Sequence, residues 1–435
     1  MKKTISVAKQ VLDRFEKSNI PYCIARNYQF LLENRIYEGK DIDVVVLSKD
    51  MHKIDVILKK DGFGVVPINP YSMHAGYAKY IAEDEKVLQF HFHIDGVTGR
   101  HVRYLDAYDI LQRRIRNEFF NAPSDEDLFL VIFLHNVLDL DKLKENDKDQ
   151  LYHLLRRSSL DKEYITRKLR KLFSQKQTEH ILDLVSKKQF SQLEAVMPEL
   201  KNRFESRRLF KIVKVYICGV LWKIPYLFKN APLISLIGMD GAGKTTMAEQ
   251  LKKIFEKNNI RHAVVYTGRG RYNILPIQLF GKPYKKLEGT FEKKMPRKVS
   301  SWKKIIYSIA APVFALDLFL RYFFIILPKR KTKRIVVTDR YSTDILLMAN
   351  VPMPLKKFLY SFFPKPTMTV YLWNTPEILH KRKPDHPLED LKRQEEIYSM
   401  ILPLLHPLKV KSIELNKTQD TILKELSKMN CLYSL

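Results

Sequence analysis

The stretch LISLIGMDGAGKTTMAEQLKKIF occupies residues 233–255 and decides the fold of the second half of the chain. It opens with an apolar, strand-like run, LISLI, and closes with a segment of helical periodicity. Between the two, residues 238–245 match the pattern G-x-x-x-x-G-K-[ST] in full. A strand, a glycine-rich loop and a helix in this order are the context that the pattern requires, so the stretch predicts a nucleotide-binding loop.

The residue types indicate how this loop would bind ATP. Glycines let backbone N–H groups curl around phosphate oxygens, and the helix N-terminus adds its dipole. We expect Lys244 to reach the β and γ phosphates and the Thr245 hydroxyl to bind Mg²⁺. The predicted ATP-binding residues of the loop are Gly238, Asp240, Gly241, Ala242, Gly243, Lys244, Thr245 and Thr246.

Apolar runs recur after this loop and alternate with helical segments: HAVVYTG, RIVVTDR, TMTVYLW and KSIEL. This alternation predicts an α/β fold with a parallel sheet covered on both faces. Asp339 and Arg340 end the run RIVVTDR, at the sheet edge where ligands of open α/β folds gather. An aspartate there can hold the metal, and the arginine can bind an acceptor phosphate with two hydrogen bonds.

These motifs resemble those of the thymidylate kinase family. GMDGAGKTT followed by DRYSTD is similar to the family's loop and to its next signature. The segment VYLWNTPEILHKRKPDHPLEDLKRQEEIYSMI resembles the family's strand, proline turn and basic lid, which lead to a helix with a tyrosine. The resemblance covers about residues 232–433 and implies a P-loop NTPase parallel sheet, ATP and Mg²⁺ as ligands, and a homodimer.

The resemblance also implies roles for particular residues. It places Arg382 and Lys383 at the start of the lid, Arg393 after it and Tyr398 on the helix. The run SIELNKT resembles the loop that packs on the adenine, around Asn416. Lid arginines of such kinases close over the transferring phosphoryl group and neutralise its charge. The predicted catalytic residues are therefore Lys244, Asp339, Arg340 and Arg382.

Departures from the family concern the acceptor. Ile237 stands where the family has an acidic residue, and YTGRGRY replaces its EPGG-type loop. The lysine-rich stretch from Arg271 to Ser301 has no counterpart in the family. Arg321 falls roughly where the family has an acceptor-binding arginine. Related P-loop proteins of cell-surface polysaccharide synthesis share a basic RKP-type lid, so the acceptor is left open between a nucleoside monophosphate and a related sugar or phosphate compound.

The N-terminal part carries a second set of polar residues. Asp41 and Asp43 form a D-x-D at the start of an apolar strand, and the period of two places both on one face. The later strand LQFHFHID carries on one side Gln89, His91, His93 and Asp95. If Asp95 lies beside the D-x-D, three carboxylates form a site for Mg²⁺ and a nucleoside triphosphate. This arrangement resembles the nucleotidyltransferase fold.

One feature leaves the activity of this N-terminal site open. The nucleotidyltransferase family carries a Gly-Ser or Gly-Gly turn ahead of the D-x-D, whereas this chain has Arg26 and Asn27 there. The domain either contacts phosphate differently or binds without catalysis. We predict a nucleotidyltransferase-like domain over 1–121, a helical connector over 122–229 and a thymidylate-kinase-like domain over 230–435.

The charge of the chain indicates its partners. A formal net charge of +28 attracts nucleic acid, anionic lipid and phosphorylated compounds. The absence of a nucleic-acid-binding motif argues against nucleic acid. The basic, aromatic stretch 207–229 predicts peripheral contact with an anionic membrane.

Three scattered cysteines argue for a reducing compartment and against a disulfide framework or a structural zinc. Because charged residues interrupt the N-terminus, it does not read as a signal peptide, and we predict a cytoplasmic protein that can contact the inner face of the membrane. The apolar run from Ile305 to Leu327 is long enough for a membrane span, but Asp317 and Arg321 in its middle favour a buried helix.

Three functions are compatible with these features. The first is an ATP-dependent phosphotransferase that resembles thymidylate kinase. The second is a bifunctional nucleotidyltransferase and kinase of cell-surface polysaccharide synthesis. The third is an ATP-gated, non-enzymatic regulator at the membrane surface.

Overall fold

A computed structural model of the chain describes residues 2–26, 28–32, 41–99, 102–140, 142–268, 274–275, 299–332, 334–348, 350–412 and 415–429. These residues form a mixed α/β structure that divides into two compact units, Met1–Tyr226 and Leu227–Leu435. Two features named above fall outside the described residues. One is Asn27, and the other is most of the YTGRGRY segment and of the lysine-rich stretch that follows it (269–273 and 276–298).

The first unit combines a mixed sheet with many helices. Its strands are β1 (Tyr22–Ile24), β2 (Ile42–Val46), β3 (Gly64–Val66), β4 (His74–Ile81), β5 (Lys86–Ile94), β6 (Gly96–Gly99), β7 (Val102–Asp106), β8 (Ile115–Arg116) and β9 (Asn121–Ala122). Its helices are α1 (Lys2–Lys17), α2 (Gln29–Leu32), α3 (Met51–Lys60), α4 (Ala107–Arg113), α5 (Asp125–His135), α6 (Glu145–Leu155), α7 (Lys162–Arg170), α8 (Gln175–Ser186) and α9 (Phe190–Ser206), and α10 (Leu209–Phe228) leads into the second unit.

The described strands of the main sheet of this unit have the order β1-β2-β5-β4-β3; the neighbours β2 and β5 are parallel, and the other neighbouring pairs are antiparallel. Alternation along β5 decides which residues point into the core. Leu88, Phe90 and Phe92 are fully buried and pack with α1 and α3. His91 and His93 therefore point to the opposite face, because successive strand residues alternate between faces.

Helices cover that opposite face. After an acidic first turn, helix α5 is apolar on all sides and nearly all of it is buried, which is typical of a helix in the middle of a core. Its residues share one hydrophobic cluster with Val45 of β2 and with α6 to α9. The helical segments after residue 122 thus pack directly on the N-terminal sheet.

The second unit contains a sheet in which all five described strands run parallel. Its strands are β10 (Leu233–Ile237), β11 (His262–Tyr266), β12 (Ile335–Asp339), β13 (Met368–Trp373) and β14 (Leu408–Lys411). Its helices are α11 (Lys244–Lys257), α12 (Val299–Arg321), α13 (Leu327–Lys331), α14 (Thr343–Leu346), α15 (Met353–Ser361), α16 (Pro376–Arg382), α17 (Leu388–Leu405) and α18 (Leu415–Lys428).

The strand order β11-β12-β10-β13-β14 creates a switch point at the centre of the sheet. The first strand in sequence, β10, lies in the middle, and the chain adds β11 and β12 on one side before β13 and β14 on the other. Ligands of open α/β sheets bind at the carboxyl ends of the strands, at such a reversal. The glycine-rich loop follows β10 directly, so the fold places it at this position.

Among the described residues, one helical stretch, Tyr307–Lys331, is long and apolar enough to cross a membrane by length and composition. It includes most of α12, a π-helical turn (Tyr322–Ile326) and α13. Of its apolar window, 44% is buried within the protein. Asp317 and Arg321 in its middle are 0% and 1% exposed and form an ion pair of 2.6 Å.

Candidate functional site

The backbone of the loop between β10 and α11 takes conformations that favour glycine. Gly238 has a φ of +152°, and a Cβ there would lie 2.2 Å from the carbonyl oxygen of Leu372 on β13. Gly243 has a φ of +87° and is the N-cap of α11, and as a glycine it has no side chain to accept a hydrogen bond from the first helical turn. Backbone N–H groups at a helix start of this kind can bind an anion.

The side chain of Lys244 is buried and folds back over its own loop. Its ammonium donates hydrogen bonds to the carbonyl oxygens of Gly238 (2.9 Å) and Met239 (2.8 Å). Burial, followed by the positive charge of Arg340, lowers the pKa of Lys244 to about 8. Anionic phosphate would offer this ammonium a stronger partner than two carbonyls.

Thr245, in the first turn of α11, meets Asp339 at the carboxyl end of β12. The Thr245 hydroxyl donates a short hydrogen bond to Oδ2 of Asp339, the last residue of β12. The other carboxylate oxygen, Oδ1, is buried and has no hydrogen-bond partner among the described residues. Hydroxyl and carboxylate oxygens are suitable ligands for Mg²⁺, and an unpartnered buried carboxylate oxygen fits such a cation. These two residues therefore fit the predicted metal site.

Arg340 follows Asp339 in the left-handed conformation, with a φ of +69°. Its guanidinium lies 2.6 Å from the carboxylate of Asp240 in the glycine-rich loop and 3.9 Å from that of Asp344. Although burial opposes it, the charges of Lys244 and Arg340 hold the pKa of Asp240 below its usual value. Two cations, Lys244 and Arg340, thus lie beside the carboxylates of Asp240 and Asp344 at the loop.

Helix α17 supports the loop from the other side through two residues. The Tyr398 hydroxyl accepts a hydrogen bond from the N–H of Gly238 (3.1 Å) and donates one to its carbonyl (3.0 Å). Gln394 accepts from the N–H of Asp240 and donates to its carboxylate, both at 3.1 Å. Sequence reasoning placed Tyr398 on this helix but missed Gln394, whose signal is its spacing of one helical turn from Tyr398.

The remaining predicted residues of this half lie in different surroundings. Arg382, at the end of α16, donates hydrogen bonds to the carbonyl (2.6 Å) and the hydroxyl (3.2 Å) of Ser412, in the loop after β14. Lys383, Arg393 and Asn416 are exposed. The structure thus brings together Lys244, Thr245, Asp339, Arg340 and Asp240, while Arg382 is held at the edge of the segment predicted to meet adenine.

Arg321, the predicted acceptor arginine, is buried beside the loop that follows β11. Its guanidinium pairs with Asp317 and donates to the carbonyl of Gly268 (3.3 Å). Asp317 accepts from the N–H groups of Ile274 and Leu275, each at 2.8 Å. This ion pair is therefore bonded to the described parts of the segment after β11, Gly268 and Ile274–Leu275.

The N-terminal residues line a separate cavity of about 400 Å³ in the first unit. Asp41, Asp43, His91 and His93 all contribute to its wall. Oδ1 of Asp43 lies 3.0 Å from Nδ1 of His91 and 3.3 Å from Nε2 of His93. Burial alone would raise the pKa of Asp43, but hydrogen bonds from both histidines hold it well below its usual value. Burial and the charge of Asp43 raise the pKa of Asp41.

The structure does not bring Asp95 to Asp41 and Asp43, and this corrects the predicted three-carboxylate site. Strands β2 and β5 are parallel with Asp43 opposite His91, so Asp95 lies four residues further along, about 13 Å away at strand spacing. The Asp95 carboxylate instead accepts a hydrogen bond from the N–H of Ser48 (2.8 Å), at the far end of β2. His91 occupies the place predicted for the third carboxylate, so the set lacks the three acids predicted to hold Mg²⁺.

The chain matches no known protein-family model, and no curated protein is significantly similar to it in sequence.

Proposed function

We propose that the second unit is an ATP-dependent phosphotransferase with a P-loop NTPase fold. The acceptor would be a nucleoside monophosphate or a related sugar or phosphate compound. The observation that carries this proposal is the contact of Thr245 with Asp339 beside the buried Lys244, all at the carboxyl edge of the central strands. A metal-binding pair, a phosphate-binding ammonium and the N–H groups of a helix start are the parts that an ATP-Mg²⁺ site needs.

Each of these residues has a physical task. Lys244 exchanges two neutral carbonyl partners for phosphate oxygens, which stabilise its charge. Thr245 and Asp339 would hold Mg²⁺, which when bound neutralises phosphate charge. Because phosphoryl transfer depends mainly on positioning and electrostatics, the protein does not need to supply a nucleophile.

Arg340 supports transfer to an acceptor over simple hydrolysis. It adjoins Asp339 in sequence, and its position is set by a left-handed backbone and by Asp240. Such strained backbone is concentrated at functional sites. A guanidinium can bind an acceptor phosphate with two parallel hydrogen bonds, which would orient it toward the γ-phosphoryl group.

The experiment is ADP formation from ATP and Mg²⁺, with and without dTMP, and then with sugar phosphates and glycolipids. We expect Lys244→Ala to remove turnover, whereas Lys253→Ala, on the exposed face of the same helix, retains it. Full activity of the Lys244 variant would refute the proposal. Stimulation by dTMP would identify a nucleoside monophosphate kinase. Stimulation by a sugar compound would instead support a role in cell-surface polysaccharide synthesis.

A second proposal concerns the location of the protein: α10 attaches it to an anionic membrane surface. Large apolar side chains are exposed along this helix, including Leu209, Phe210, Tyr216, Ile217, Val220 and Leu221. Between Glu205 and Asp240 the sequence has six lysines and arginines and no acidic residue. Helices that lie in the membrane interface combine these two properties, and each basic residue adds about 1 kcal/mol near anionic lipid.

Vesicle sedimentation tests the membrane proposal. Wild type should sediment with phosphatidylserine-containing vesicles, less so at high salt, and little with neutral phosphatidylcholine. Leu221→Glu should reduce this binding, while Val56→Glu, at an exposed apolar position of α3, should not. Equal sedimentation of both variants would refute a role for α10. If Lys244→Ala binds vesicles normally but lacks turnover, membrane contact and phosphotransfer are separate properties.

A further inference from the structure

The cavity of the first unit contains a convergence of metal-binding atoms that the phosphotransferase site does not use. One carboxylate oxygen of Asp43 and one ring nitrogen each of His91 and His93 lie within 4.8 Å of one another. Asp43 and His93 are buried and His91 is half-buried. The three residues come from two paired strands, so rigid backbone holds them in place.

We propose that Asp43, His91 and His93 bind a divalent transition-metal ion of the Zn²⁺ class. The inference is independent of the phosphotransferase proposal, because it concerns the other compact unit.

The spacing of the three atoms suits such an ion. Metal–nitrogen and metal–oxygen bonds of about 2.1 Å in tetrahedral geometry place neighbouring ligands about 3.4 Å apart. The Asp43 oxygen lies 3.0 Å from the His91 nitrogen and 3.3 Å from the His93 nitrogen. An ion could therefore replace the shared protons with little change in these two distances, and the two nitrogens lie within 4.8 Å of each other.

Surrounding residues orient two of the three ligands. Nε2 of His91, the nitrogen that faces away from Asp43, lies 2.7 Å from Nδ1 of His74, whose Nε2 lies 2.6 Å from the Thr98 hydroxyl. Arg26 lies 3.3 Å from Oδ2 of Asp43 and leaves Oδ1 to the histidine side. Metal-binding histidines commonly have such a partner on the second ring nitrogen, which fixes the tautomer and the ring orientation.

The ligand types decide the class of metal. Mg²⁺ prefers an octahedron of oxygen ligands, whereas imidazole suits Zn²⁺, Co²⁺, Ni²⁺, Cu²⁺ and Fe²⁺. Three protein ligands leave one position of a tetrahedral ion open. The ligands line the cavity together with Asp41, Arg26 and Tyr104, so that position would face the cavity and could take water or a small anionic ligand.

The experiment is a titration of the full-length, untagged protein with Co²⁺, Zn²⁺ and Mg²⁺ after treatment with a chelator. We expect one Co²⁺ per chain in this site, visible as an intense d–d absorption band that Zn²⁺ displaces and Mg²⁺ does not. His74→Ala should weaken Co²⁺ binding roughly 10- to 100-fold, and Asp43→Asn and His93→Ala should weaken it more. His52→Ala, an exposed histidine of α3, is the matched control and should bind normally.

Two outcomes would overturn the proposal: no band in the wild type, or undiminished binding by the variants of Asp43 and His93. Displacement of Co²⁺ by stoichiometric Mg²⁺ would overturn the metal class. Asp43→Asn preserves the shape of the side chain, so circular dichroism of this variant separates loss of the metal from loss of the fold. Lys244→Ala should bind Co²⁺ like the wild type, so failure of the phosphotransferase proposal would not affect this result.

Discussion

The hydroxyl of Thr245 donates a hydrogen bond to the carboxylate of Asp339, which closes the gap between the start of α11 and the end of β12. The two residues are 94 positions apart in sequence. Their contact brings a hydroxyl and a carboxylate together at the position where the proposed site would bind its cation.

The first prediction concerns this pair. Asp339→Asn should lower kcat on the order of 100-fold or more, because an amide binds Mg²⁺ less well than a carboxylate. Thr245→Ser keeps the hydroxyl and should retain most activity, whereas Thr245→Val should lose it. The measurement is steady-state turnover over a range of Mg²⁺ concentrations. An Asp339→Asn enzyme with wild-type turnover would contradict the assignment.

The second prediction follows from the lowered pKa of Lys244, about 8 in the folded protein. In the unfolded chain a lysine has a pKa of about 10.4, so between pH 8 and 10 the unfolded state binds more protons. The free energy of unfolding without ligand should therefore rise across this range, by at most about 3 kcal/mol from this residue.

Urea unfolding at several pH values measures this rise. Lys244→Met should lack it, whereas Lys253→Met should keep it. Phosphate stabilises the ammonium form, so a non-hydrolysable ATP analogue with Mg²⁺ should also remove the rise from the wild type. A parallel pH dependence of the wild type and the Lys244 variant would show that this lysine is not the source.

The third prediction concerns Arg340, which in the proposed site binds the acceptor, whereas Lys244 binds ATP. Arg340→Lys keeps the charge but loses the planar pair of donors. Loss of one hydrogen bond to the acceptor phosphate should raise the KM for the acceptor at least tenfold, which corresponds to about 1.4 kcal/mol. The KM for ATP should change little. Two-substrate kinetics measure both constants. A change confined to ATP would place Arg340 on the donor instead.

The fourth prediction compares two glycines of the loop. A methyl group at Gly238 would meet the Leu372 carbonyl at 2.2 Å, so Gly238→Ala should cost about 3 kcal/mol or more of stability. At Gly243 a methyl group meets no atom within 4 Å, and only the positive φ costs free energy, about 1–2 kcal/mol. Urea unfolding of both variants tests the ranking, and equal destabilisation would contradict it.

Local features of the sequence were enough to predict the residues around the central strand. The glycine-rich pattern fixes a strand, a loop and a helix within a short segment, and Asp339 could be placed because parallel strands share one carboxyl edge. Mixed α/β architecture with a parallel sheet is confirmed by the structure.

Residues whose position depends on pairing between distant segments could not be placed this way. The partner of Asp43 depends on the register of β2 against β5, and a shift of four residues separates His91 from Asp95. Alternation identifies the face of a strand but not the position along its neighbour. The same holds for Arg382, whose contact with Ser412 joins the end of α16 to the loop after β14, two segments that no local pattern relates.

The two bonds between Tyr398 and Gly238 have a mechanical consequence. One phenol hydrogen-bonds to both main-chain polar groups of Gly238, the residue at which the glycine-rich loop begins. These bonds attach the middle of helix α17 to the loop. In the basic segment 382–387 before this helix, Arg382 is instead hydrogen-bonded to Ser412. We expect that a movement of segment 382–387 toward the loop would first break the hydrogen bonds between Arg382 and Ser412, while the bonds of Tyr398 keep the middle of α17 in place.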